Sequence, residues 1–341
     1  MRIGLITGGG DAPGLNGIIE SCSKTLIKAG HTVVGICDGF EGVFNENYKE
    51  LTLKEIEGAH AQAGTILGTS NKSGTKGREK EFLEKYKKMN IEGIIACGGD
   101  GTFAGLKAVS SEIKLLGVPK TIDNDLPGTD LTFGFDTACT VVAEAATSLK
   151  ATAHAHRRAL FVETMGRTAG WIALGGGVAS YADAILIPER PFDKSEFIKF
   201  IIERKKQQRG FICIISEGAF SIGENPQVAF TVPGSPQAER FGGISNTISH
   251  WVERETGWES RHVVLGHLQR SRHPTTTDCL LTAAMGVEVA QLALSGNWGM
   301  GVVYRDGHVK HAPISEFMGP ARLVPKDHKW IELAKSLGAF I

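Results

Sequence analysis

Two short stretches of the chain carry the residue types of a chemical site. Gly98-Gly99-Asp100-Gly101-Thr102 follows the apolar run Ile91-Glu92-Gly93-Ile94-Ile95-Ala96-Cys97, which reads as a buried strand. Glycines and one carboxylate at a strand end are what a phosphate and metal site requires. Thr121-Ile122-Asp123-Asn124-Asp125 follows Leu115-Leu116-Gly117-Val118-Pro119-Lys120 and sets two carboxylates beside a lysine. Carboxylates that can hold Mg²⁺ or accept a proton, next to a phosphate cradle, point to phosphoryl transfer.

Two more glycine turns accompany them. Thr7-Gly8-Gly9-Gly10-Asp11-Ala12-Pro13-Gly14 closes the first apolar run. It is no dinucleotide fingerprint, because Pro13 stands where the third glycine belongs, and no Walker loop, because Leu15-Asn16 replaces Lys-Ser/Thr. By itself it reads equally as a phosphate contact or as a tight connection. Gly64-Thr65-Ile66-Leu67-Gly68-Thr69-Ser70-Asn71-Lys72 ends on a basic residue. Several such turns at expected strand ends argue for a shared phosphate cleft.

The elements that must position these turns alternate. Strands are expected at Ile3–Thr7, Thr32–Cys37, 91–97, 114–118, Ala159–Thr164, Ala184–Ile187, Phe211–Ser216 and Val263–Gly266. Helices are expected at Asn16–Ala29, Arg78–Met89, Phe103–Glu112, Asp136–Ala155, Ala169–Ser180, Ser195–Gln208 and Ser245–Thr256. This order predicts an α/β fold with mainly parallel sheets flanked by helices, whose ligands bind at the carboxyl ends of strands. Ala219–Gly243, rich in Gly, Pro and polar residues, reads as a long loop or insertion.

With 341 residues the chain is long enough for two lobes. Lys+Arg and Asp+Glu are both 37, so broad electrostatic attachment to nucleic acid or an anionic membrane is not expected. No secretory signal and no membrane-length apolar run are read, and the location expected is cytoplasmic. Six scattered cysteines without a CxxC pair read as reduced thiols. His154 and His156 lack a third ligand nearby in sequence and read as a surface helix rather than a metal pair.

Taken together, the Thr7–Asn16 turn, the Gly98–Thr102 turn, Pro119-Lys120-Thr121-Ile122-Asp123-Asn124-Asp125, Met165-Gly166-Arg167 and Gly266-His267-Leu268-Gln269-Arg270 resemble the 6-phosphofructokinase family. The resemblance extends to about residue 318. It implies two α/β lobes around a cleft: 1–135 with about 268–318 as a nucleotide-donor lobe, 136–267 as a sugar-phosphate lobe, and 319–341 as a tail ending in a helix. It implies that Asp123 is the base for the sugar 1-hydroxyl, that Thr121 and Arg167 contact the transferring phosphoryl group, and that Asp100 and Asp125 serve Mg²⁺. Gly10, Gly99, Asp100, Gly101 and Thr102 would line the donor ATP; Asn71-Lys72, also expected beside the donor, departs from the arginine that bacterial ATP enzymes carry there, a charge that Lys72 or Lys120 would replace. Fructose 6-phosphate would be held by Thr121, Ile122, Asp123, Met165, Gly166, Arg167, Glu217, His267, Leu268, Gln269 and Arg270. Arg158 and Arg261 match arginines that the family supplies from a neighbouring subunit, which implies a homodimer or homotetramer.

The donor rests on two positions. In this family, pyrophosphate users typically carry Asp at the place of Gly101 and Lys at the place of Lys120, whereas familiar bacterial ATP enzymes carry glycine at both. The mixed pair here favours ATP, because an aspartate at 101 would crowd and repel the α-phosphate. A pyrophosphate-dependent 6-phosphofructokinase is the alternative; an NAD kinase-like enzyme or an inactive nucleotide sensor is more distant. Glu20 and Lys24 stand where regulated members carry effector-binding arginines, so weak or absent control by phosphoenolpyruvate or ADP is expected. The insertion could cover the sugar site, alter subunit contacts or do nothing.

Overall fold

The computed structural model describes residues 1–70, 74–232 and 239–341. In chain order the strands are β1 (Arg2–Thr7), β2 (Thr32–Ile36), β3 (Tyr48–Leu51), β4 (Gly93–Gly98), β5 (Leu115–Pro119), β6 (Ala159–Thr164), β7 (Ala184–Leu186), β8 (Phe211–Ser216), β9 (Val228–Thr231), β10 (Glu239–Phe241), β11 (Ser260–Val264), β12 (Met300–Arg305) and β13 (His308–Pro313). The chain forms two units, Met1–Thr137 with Arg270–Pro320 and Ala138–Gln269 with Ala321–Ile341.

The first unit holds a seven-stranded sheet in the order β13-β12-β5-β4-β1-β2-β3. Its five inner strands run parallel, and β3 and β13 close the two edges antiparallel. Strand alternation sends Ile3, Leu5, Ile95, Cys97, Leu116 and Val118 to one face, under the helices Leu15–Lys28 and Thr276–Leu294. Ile6, Ile94, Ala96 and Leu115 go to the other, against Phe82 and Phe103. The α/β class read from the sequence is therefore observed, with apolar runs buried on both faces as a parallel sheet demands. Because β1, β4 and β5 are neighbours, the turns after Thr7, Gly98 and Pro119 emerge side by side.

The second unit has a four-stranded parallel sheet, β11-β6-β8-β7, and a separate antiparallel hairpin, β9-β10. Its core gathers Phe161, Phe192, Phe197, Phe211, Ile215, Ile248 and Trp258. Met165, Glu217 and His267 follow the carboxyl ends of β6, β8 and β11. The final segment, expected as a separate tail, belongs to this unit. Its helix Lys329–Ser336 buries Ile331 and Ala334 against the helix Trp171–Ala179, and Phe340 bridges to Ala184 at the β7 edge.

Other expectations change. Helix Asp100–Lys107 starts before Phe103, because the glycine turn is itself the helix N-terminus, with Gly99 as N-cap. β11 begins at Ser260 rather than Val263; as the sheet edge beside β6 it tolerates Arg261 and His262, and Gly266 (φ 47°) already belongs to a turn. The segment read as loop or insertion contains β9, exposed throughout, and the three-residue β10, too short to show an apolar alternation. Helix Thr276–Leu294 is long and apolar, and it is a core helix of the first unit, with Met285, Val289 and Ala293 buried against the sheet.

Candidate active site

In the first unit, the glycines of the strand-end turns divide by what surrounds them. A Cβ at Gly8 would sit 2.7 Å from Thr102 Oγ1, so Gly8 is glycine for packing. At Gly10 a Cβ would lie 3.2 Å from Arg270 Nη1, and at Gly99 3.4 Å from the Lys120 carbonyl oxygen. At Gly101 it would meet nothing within 4 Å, and no left-handed φ demands glycine there. The fold has no use for glycine at 101. Thr102 is 2% exposed. Its Oγ1 and Asp123 Oδ1 are buried without a hydrogen-bond partner among the described residues.

Two cations brace the first turn through its carbonyls. Lys120 Nζ donates to Gly10 O, and Arg270 Nη1 donates to Asp11 O at 2.7 Å. Lys120 is buried, and burial, with Arg270 nearby, pushes its ammonium down to about 8 against the pull of Asp11 and Asp123. Arg270, expected on the sugar phosphate, thus stands in the first unit beside Gly10.

The Thr121–Asp125 loop is tied by a residue that the sequence reading passed over. Asn124 has φ 54°, a left-handed conformation that Asn tolerates. Its Oδ1 accepts from Thr132 N (2.9 Å) and Thr132 Oγ1 (3.2 Å), while Thr132 Oγ1 also reaches Thr121 O at 2.6 Å. Asp123 N donates to Thr121 Oγ1 at 3.1 Å. Ile122 is fully buried, with its side chain beside Gly134, so only its backbone is left to meet a ligand.

Burial raises the Asp123 carboxyl above the usual range; Arg270 and Lys120 oppose that rise and Asp100 adds to it. Asp125 is pushed up to about 7 by burial, then by Asp123 and Asp100, with Thr121 opposing. Asp100, Asp123 and Asp125 therefore repel one another in one acidic cluster beside Lys120 and Arg270. No three His, Cys, Asp or Glu side chains converge as a metal cage among the described residues. A cation that takes one or two carboxylates and fills its shell with water and phosphate oxygens fits this set, as Mg²⁺ does. Asn71 and Lys72 lie outside the described residues.

In the second unit, Gly166 turns the chain after β6 at φ 124°. Its carbonyl accepts from Ser216 Oγ and from Gly218 N at 3.3 Å. Met165 N donates to the buried Gln269 Oε1 at 3.3 Å, so Gln269 is a brace while Leu268 and His267 are exposed. Glu217 N reaches back to Thr164 O at 2.9 Å. The Arg167 guanidinium lies 5.1 Å from the Phe241 ring, a contact with no sequence signal because Phe241 sits in the Gly/Pro-rich stretch. Arg158 and Arg261 share one carboxylate, Glu259, at 2.7 and 2.6 Å.

Glycine turns, a buried lysine and repelling carboxylates at adjoining parallel strand ends are the equipment of a phosphoryl-transfer enzyme. The sequence model of phosphofructokinase matches residues 2–293. "ATP-dependent 6-phosphofructokinase 2" of Streptomyces coelicolor is 38% identical over 332 residues, covering 96% of this chain and 97% of its own. "Pyrophosphate--fructose 6-phosphate 1-phosphotransferase" of Amycolatopsis methanolica is 36% identical, covering 96% and 97%. The crystal structure of Pichia pastoris phosphofructokinase in the T-state matches with a TM-score of 0.82 and 28% identity, over 93% of this chain and 35% of that one. The chain belongs to the phosphofructokinase family.

Proposed function

We propose that this protein is an ATP-dependent 6-phosphofructokinase, which moves the γ-phosphoryl group of ATP to the 1-hydroxyl of fructose 6-phosphate and yields fructose 1,6-bisphosphate and ADP. The observation that carries the donor is the open space at Gly101: packing does not require glycine there, and a bare backbone leaves room for a nucleotide phosphate. Lys120, the residue shared with pyrophosphate users, has its ammonium on the Gly10 carbonyl, so its presence is accounted for by the turn it holds. The relatives named for ATP, from Streptomyces coelicolor and Chloroflexus aurantiacus among others, support the same reading.

The residues then take these roles. Asp123 accepts the proton of the sugar 1-hydroxyl; its buried, unpartnered Oδ1 suits a base kept for the substrate. Thr121 and Arg167 stabilise charge on the equatorial oxygens of the transferring group. Gly10, Gly99, Gly101 and Thr102 face the donor with backbone and hydroxyl. Asp100 and Asp125 would hold Mg²⁺, which neutralises donor phosphate charge when bound. Met165, Gly166, Glu217 and His267, at strand ends of the second unit, bind the sugar phosphate. Arg158 and Arg261 meet the 6-phosphate of a neighbouring subunit's site through their paired N–H groups, so the active unit is a homodimer or homotetramer. The same reading puts the enzyme in the cytoplasm.

A donor and acceptor panel on the purified protein tests this. ATP and pyrophosphate are each supplied with fructose 6-phosphate and Mg²⁺, and the bisphosphate product is measured. Turnover with ATP at least tenfold above pyrophosphate is expected. The reverse preference moves the assignment to the pyrophosphate enzyme, and no turnover with either ends it.

A further inference from the structure

The hairpin β9-β10 lies inside the segment that the sequence left without a role. We infer that Phe241, at the end of β10, is a positioning residue for Arg167; this rests on the phosphofructokinase reading above. Three features converge. The Arg167 guanidinium carbon stands 5.1 Å from the centre of the Phe241 ring, within the range where a ring face attracts a cation. The hairpin register shifts between Arg240 and Phe241: Arg240 pairs with Phe230 but Phe241 pairs with Val228. The extra residue is Ala229 on β9, so the twist of the pair increases where Phe241 ends β10, and the facing of Phe241 is set apart from the regular ladder. The hairpin end is also fastened to β6, the strand that delivers Arg167. Glu163 on β6 accepts from Gly243 N at 2.9 Å, and from Ser245 N and Oγ at 2.9 and 2.8 Å.

The choice of a ring has chemical sense. No carboxylate pairs with Arg167 among the described residues. A carboxylate would hold the arginine by occupying its N–H donors and cancelling its charge. An aromatic face restrains the guanidinium and leaves the donors on its edge for phosphoryl oxygens. Phe241 thus acts through Arg167 and needs no contact with substrate.

The test compares Phe241→Leu, Phe241→Tyr and Phe241→Trp in the full-length enzyme, alone and with Arg167→Ala. Phe241→Leu keeps the bulk and removes the ring. It should lower kcat about 3- to 20-fold, leave the KM for ATP within twofold, and keep the wild-type melting temperature. Phe241→Tyr and Phe241→Trp should restore most of the loss, which packing volume alone does not explain. In the Arg167→Ala background, Phe241→Leu should have no further effect. Wild-type kcat in Phe241→Leu, or a full loss that persists in the Arg167→Ala background, overturns the inference. A wild-type enzyme without phosphofructokinase turnover would instead refute the function on which it rests, so the two failures are distinct.

Discussion

Replacing Gly101 by Asp isolates the donor from the fold. A Cβ at 101 meets no atom within 4 Å, so the new side chain displaces nothing. The position lies in the first turn of helix Asp100–Lys107, where leaving glycine gains up to about 0.5 kcal/mol and an acidic group gains about 0.3–1 kcal/mol. The free protein should therefore melt at the wild-type temperature or slightly above. The cost falls on the nucleotide. A carboxylate about 4 Å from one phosphate charge is repelled by about 1 kcal/mol in water-like surroundings and about 4 kcal/mol at an effective dielectric constant of 20. That range corresponds to roughly 5- to 1,000-fold in kcat/KM for MgATP. Gly101→Ala, which adds bulk without charge, should lose far less, and any rate with pyrophosphate should suffer less than the rate with ATP. The assay is coupled detection of fructose 1,6-bisphosphate over a range of MgATP, beside thermal melts of both variants. If Gly101→Asp keeps wild-type kcat/KM for MgATP, no nucleotide phosphate lies over residue 101 and the donor argument fails.

Two further outcomes are expected. Asp123→Ser should cut turnover by about 10²–10⁴-fold while fructose 6-phosphate affinity, read by equilibrium binding, stays within a few-fold; surviving turnover would move the base elsewhere. The second concerns pH and Mg²⁺. Asp125 is raised from 3.8 to about 7 in the fold, so the folded state favours its protonated form. Its contribution to stability is present at acid pH and is lost as pH climbs from about 4 through about 7. If Asp100 and Asp125 hold Mg²⁺ as proposed, the ion would relieve that loss by binding the ionised cluster, so it should raise the melting temperature more at pH 8 than at pH 5 and release protons as it binds. An equal shift at both pH values would mean that the raised carboxylates do not hold the metal.

Much of this protein was legible before its fold was known. Apolar runs at 91–97 and 115–118 are strands because both faces of a parallel sheet are buried, and the glycines after the first of them mark a turn at a strand end. Those signals are local: a period, a turn, a run of burial within one window. What lies beside what is not local. β12 returns from residue 300 onward to flank β5, β13 then closes that edge against β12, and β11 lies beside β6 with polar residues at its start. Such pairings are chosen by the total surface buried over distant segments. The same holds for single contacts. Lys120 on the Gly10 carbonyl and Phe241 against Arg167 join residues 110 and 74 positions apart. Residue order by itself determined which groups could transfer a phosphoryl group; only the tertiary structure decided which cation braces a turn and which arginine is held by a ring, because those depend on distances that close when the chain packs.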